Sequence, residues 1–163
     1  MKRLLFVWFL VFLSGPKVFP QMTFQTAAEK SDYNSTSDYK EVTSFIDMLK
    51  KSSDHIRVEN IATSAEGREI PLLIIGNPLP ESPGDLVNDE RIVIYIQANI
   101  HAGEVEGKEA ALMYARDLLK DRTPVLLNNV VLLICALFNP DGNEKINVLN
   151  RTHQNGPFNG VGV

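Results

Sequence analysis

The strongest constraint on how this chain folds comes from two short, almost wholly apolar runs: I-V-I-Y-I-Q-A at 92–98 and V-V-L-L-I-C-A-L at 130–137. Neither alternates with polar residues, so each reads as a strand buried on both faces, the pattern of a parallel sheet. Between them Ala111, Tyr114, Ala115, Leu118 and Leu119 make a helical stripe, and Pro124 lies just past its end. Strand, helix and strand in that order form a crossover unit, right-handed in nearly all proteins. Such a unit sends both chain exits to one end of the sheet, where α/β proteins carry their sites.

The preceding residues supply further layers. Val42, Phe45, Ile46 and Leu49 lie at i, i+3, i+4 and i+7, one face of a helix that begins near Tyr39. Residues 56–62 alternate as a half-exposed strand does, 64–68 form a turn, and 70–75 read as a second strand antiparallel to the first. The proline-rich segment 77–90 reads as a surface loop, and the polar segment 22–38 as a loose, flexible lead-in. After Phe138 periodicity fades, and no element closes the chain before Val163. We therefore expect an α/β fold with a mixed, largely parallel sheet flanked by helices, with residues 39–163 forming the amino-terminal half of a larger domain.

Composition narrows the function. A hydrophobic fraction of 44% with 22% charged residues is that of a globular chain, and 163 residues is about one domain. Residues 1–21 stand apart: Met1-Lys2-Arg3 is basic, 4–13 is apolar throughout, and Ser14-Gly15-Pro16 breaks the run. That is the layout of a secretory signal peptide, with an apolar run too short to span a bilayer as a helix. We expect a mature protein that begins near residue 22 and is periplasmic or secreted, with an uncleaved anchor as the alternative. The formal net charge is −4, and Lys2, Arg3 and Lys17 fall within the leader. With no Lys/Arg cluster elsewhere, a phosphate backbone is repelled and nucleic acid is excluded as a partner. The lone Cys135 has no internal disulfide partner and reads as a buried filler.

Chemistry collects at the first strand exit, N-I-H-A-G-E-V-E-G-K-E at 99–109. Two readings compete. Acidic residues favour a helix amino terminus because of the helix dipole. Alternatively, His101 and Glu104, three apart, reach one cation together, and both are zinc-ligand types. Glu106 and Glu109 offer other carboxylates, although Glu106 points elsewhere on a helix begun here. Spacing alone leaves both readings open.

H-A-G-E after a hydrophobic strand resembles the first zinc-ligand motif of the zinc carboxypeptidase family, the carboxypeptidase A-like metallopeptidases. T-S-A-E-G-R-E-I-P-L-L-I-I-G at 63–76 is similar to that family's early hairpin, and F-N-P-D-G at 138–142 to its Asn-Pro-Asp-Gly turn. The resemblance implies that His101 and Glu104 are ligands of one zinc ion, that a third ligand, a histidine, lies beyond residue 163, and that the substrate is a peptide. His55 and His153 do not match the family's third ligand. The family also uses an arginine after the Asn-Pro-Asp-Gly turn to stabilise the oxyanion. Its place falls on Gln154, and Arg151, three residues early, is the candidate for that role. A deacylase of N-acyl amino acids and a binding module without chemistry are the rival expectations. With only two ligands and no identified base, the 163 residues by themselves are expected to hold zinc weakly and to lack turnover.

Overall fold

The computed structural model describes residues 23–120 and 124–163; the expected signal peptide at 1–21 lies outside the described residues. In chain order the elements are α1 (Ala27–Lys30), α2 (Tyr39–Ser52), β1 (Ile56–Thr63), β2 (Glu69–Ile75), β3 (Ile92–Gln97), α3 (Val105–Leu119), β4 (Val130–Cys135) and α4 (Pro140–Asn143). Asp38 starts α2 with a reciprocal cap: its carboxylate accepts the Glu41 amide at 2.7 Å, and the Glu41 carboxylate accepts the Asp38 amide at 3.0 Å.

The four strands form one mixed sheet in the order β1-β2-β4-β3. β1 and β2 pair antiparallel, β2 and β4 pair antiparallel, and β3 and β4 pair parallel. The expected α/β class holds, but the balance within the described sheet differs, since only β3/β4 is parallel. Seating the antiparallel hairpin directly on β4 adds an antiparallel contact that the crossover pattern did not reveal. Val42, Phe45, Ile46 and Leu49 of α2 pack with Leu112, Ala115 and Leu119 of α3 on Leu73, Ile75, Leu132 and Ile134 of the sheet. Cys135 is buried in β4 as a free thiol.

Two expectations need correction. β4 is buried as its sequence implies, whereas β3 is not: Ile92 is 66% exposed and Tyr95 49%. Both runs are equally apolar, but β4 is central and β3 is the edge of the described sheet. Burial follows position in the sheet, which composition does not encode. The lead-in is also not loose over its described part. Thr26 caps α1, and the Phe24 ring meets Phe45 edge to face at 4.8 Å. Arg116 of α3 donates to the Phe24 carbonyl at 3.0 Å and to Glu29 at 2.6 Å. Glu109 accepts hydrogen bonds from Thr36 Oγ1 at 2.8 Å and from the Ser37 amide at 2.6 Å.

Beside Glu109 lies Lys108, a lysine with no exposed surface. Its Nζ donates to the Ser37 carbonyl at 2.5 Å and to Asn143 Oδ1 at 2.6 Å, so one side chain joins α3, the lead-in and α4. Burial pushes its pKa down to about 8, against an upward pull from Glu109, Glu144, Glu41 and Asp38. Unfolded, the amine keeps its proton to about pH 10.4. Below pH 8 the folded state therefore carries the full cost of the buried charge, and stability rises as pH climbs from about 8 towards 10. Over that range wild type should gain on the order of 2 kcal/mol relative to Lys108→Met, which lacks the titration. Urea unfolding of both proteins at stepped pH measures the gap, and a constant gap would contradict the assignment.

Candidate metal centre

Parallel pairing sets the exits of β3 and β4 side by side, and the backbone continues the contact beyond the strands. Ala98 N donates to Cys135 O at 2.9 Å, Phe138 N to Ala98 O at 3.1 Å, and Asn139 N to Asn99 O at 3.0 Å. The chain then turns through residues 100–103, with Glu104 N bonded to His101 O at 2.9 Å, before α3 begins at Val105. Glu104 is the N-cap residue, but its side chain makes no capping bond. Its carboxylate turns to His101 instead, with Nδ1 at 3.1 and 3.2 Å from the two oxygens. The hydrogen bond from His101 holds the Glu104 carboxyl below its ordinary range despite an opposing desolvation effect, and the charges of His101 and Arg151 assist. The pair is open to solvent, with the His101 side chain 70% exposed.

This donor set suits zinc. Two ligands of one tetrahedral zinc, with bonds of about 2.0–2.2 Å, stand roughly 3.3 Å apart. The separation of Nδ1 from the carboxylate is close to that, and both groups face solvent, where an open coordination position for water is needed. Among the described residues no third His, Cys, Asp or Glu joins them. His55 precedes β1, at the opposite edge of the sheet from β3, and His153 lies in the exposed tail.

The other charged residues of the stretch have separate surroundings. Glu109 is occupied by the lead-in. Glu106 lines a cavity of about 1130 Å³ between α3, the lead-in and the tail, together with Tyr33, Met113, Arg151 and Gln154. Arg151 reaches back from the tail, its Nη1 3.6 Å from Glu104 Oε1. It crosses directly over Gly103, where an added Cβ would fall 2.4 Å from Arg151 Cδ. A glycine at 103 is therefore what lets the guanidinium approach the pair.

The Asp141 carboxylate clasps the β1–β2 turn. It accepts Ser64 Oγ at 2.7 Å, the Glu66 amide at 3.0 Å and Arg68 Nη1 at 2.7 Å. Two sequence motifs far apart in the chain are thus the halves of one latch. Their opposite charges were the only sequence signal for it. Asn99, whose side-chain amide donates to the carbonyls of Ala102 and Glu104, was also missed.

The chain belongs to the zinc carboxypeptidase family, whose sequence profile matches residues 42–162. Among solved structures it is similar to carboxypeptidase A from Helicoverpa armigera, with 27% identity over 68% of this chain and 26% of that one, at a TM-score of 0.57. A metallo-carboxypeptidase from Burkholderia cenocepacia shares the fold at 22% identity, covering 68% of this chain and 29% of the other, at a TM-score of 0.56. Bovine thrombin-activatable fibrinolysis inhibitor, solved with a tick carboxypeptidase inhibitor, shares it at 17% identity, covering 74% and 36%, also at 0.57. The chain thus spans between about a quarter and about a third of the length of these structures. No curated protein matches it. Among the described residues no helix is long and apolar enough to cross a membrane.

Burial pushes the Asp141 carboxyl up, but the hydrogen bonds from Ser64, Arg68 and the Glu66 amide outweigh it and hold the group below the usual aspartate range. Its contribution to stability is therefore present above about pH 3.9 and is lost as pH falls through the lower folded value. Asp141→Ala should melt several degrees below wild type at pH 7, and the gap should narrow as pH falls below about 3.9. Thermal melts stepped from pH 7 into the acid range test this, and a gap that stays constant or widens as pH falls would contradict it.

Proposed function

We propose that this chain is part of an exported zinc metallocarboxypeptidase that hydrolyses the carboxy-terminal bond of peptides. The observation that carries the reading is the His101–Glu104 pair, an imidazole nitrogen and a carboxylate converging at 3.1–3.2 Å on the open end of the sheet. In this reading His101 and Glu104 hold one zinc ion. Both must be deprotonated to bind it, and the lowered Glu104 pKa favours the required carboxylate. When bound, zinc would polarise the scissile carbonyl and supply a water of pKa about 7.

Arg151 brings a permanent positive charge to the edge of the pair. From there it is the proposed hydrogen-bond donor to the carbonyl oxygen as negative charge develops, which is where preorganised donors contribute most. The third zinc ligand and the proton-accepting glutamate are proposed to come from residues beyond 163. The basic, then apolar, start of the sequence supports delivery to the periplasm or the exterior.

The test is release of the terminal amino acid from a blocked peptide with a free carboxy terminus by the zinc-loaded whole protein, with N-acyl amino acids run beside it. Peptide hydrolysis that falls to background in His101→Ala is the expected result. Cleavage of N-acyl amino acids alone would replace the substrate class, and an active His101→Ala enzyme would overturn the ligand assignment. The isolated 163 residues should show no turnover in the same assay.

A further inference from the structure

Two unfavourable features coincide at Asn99, two residues before His101. Its backbone is left-handed, with φ of 55°, a region that residues bearing a Cβ avoid and that Asn tolerates better than most. The residue is 2% exposed, yet Oδ1 has no hydrogen-bond partner, the one buried side-chain polar atom among the described residues in that condition. Buried acceptors are nearly always paired, so an exception calls for a reason.

The reason lies on the other end of the amide. Nδ2 donates to Ala102 O at 3.1 Å and to Glu104 O at 3.4 Å. Those carbonyls belong to the turn that carries both candidate ligands. The Asn99 carbonyl meanwhile accepts Asn139 N, fixing the same residue to the exit of β4. Both side-chain partners are carbonyls, so the nitrogen must face them, and the oxygen is necessarily turned away. Few residues can do this. Glycine suits the backbone but has no donor, and aspartate suits the backbone but would aim oxygen at oxygen.

We propose that Asn99 is a positioning residue that presets the His101–Glu104 turn before metal arrives. Its consequence for zinc affinity rests on the reading of that pair as ligands, while the clamp itself is a property of the metal-free chain. The turn is held by the side chain of a residue whose backbone is tied to the exit of β4, so the two donors already face one point before metal arrives.

The experiment compares wild type with Asn99→Asp, which keeps the shape and removes the donors, and Asn99→Gly, which eases the backbone and removes the side chain. Hydrogen–deuterium exchange is followed in the metal-free proteins, and zinc affinity is measured by competition with a chelator, with His101→Ala as the metal control. In both variants the Glu104 amide should exchange about tenfold faster or more, while α2 and β4 keep wild-type protection. Zinc affinity should fall about 10–100-fold, the range seen when a group supporting a metal ligand is removed.

Unchanged Glu104 exchange in the Gly and Asp variants overturns the proposal, as does protection lost evenly across the sheet, which would make Asn99 a folding residue only. Faster exchange with unaltered zinc affinity also overturns it, provided His101→Ala has lost zinc. If His101→Ala binds zinc as wild type does, the ligand reading fails, and the exchange measurement alone then decides whether Asn99 clamps the turn.

Discussion

The parallel pairing of β3 with β4 is the interaction on which the rest of this structure depends. It places two strand exits at the same end of the sheet and continues past the strands through Ala98, Asn99 and Asn139. Everything with chemical potential hangs from that junction. One exit becomes the turn that carries His101 and Glu104, and the other becomes the Asn-Pro-Asp-Gly turn, whose Asp141 grips the β1–β2 hairpin. Displacing one strand relative to the other would part the turn bearing His101 and Glu104 from the latch, because each backbone bond in the junction links one exit to its neighbour.

The crowd of charge at 101–109 resolves into distinct roles once the surroundings are known. Glu104 faces His101, Glu106 lines the cavity under Arg151, and Glu109 ties down the lead-in. Lys108, fully buried between the lead-in and α4, sets its Nζ 4.0 Å from Glu109 Oε1 in the interior. Helix α3 thus uses its first turns for the candidate site and its buried face to anchor the segments around it. An acidic stretch that reads as one feature in sequence is a set of separate electrostatic solutions in space.

Local patterns were legible in the sequence, and distant pairings were not. The face of α2 formed by Val42, Phe45, Ile46 and Leu49 follows from helical spacing, and the β1/β2 pair from alternation around the turn at 64–68. The closeness of His101 and Glu104 follows from three-residue spacing at a helix start. The exposure of Ile92 and Tyr95 was illegible because edge and central strands share a composition and differ only in neighbours. The fastening of the lead-in was illegible because it depends on Glu109 meeting Ser37, 72 residues away in the chain. Asn99 gave no signal either, since an asparagine before a turn is ordinary until its buried, half-satisfied amide is seen.

X-ray absorption at the zinc edge of the metal-loaded protein examines the proposed bonds from His101 and Glu104 to zinc themselves. Nitrogen and oxygen neighbours at about 2.0–2.2 Å are expected, with the outer-shell signature of imidazole, and the His101 contribution should be lost in His101→Ala. A wild-type spectrum without imidazole, or one that His101→Ala leaves unchanged, would contradict it.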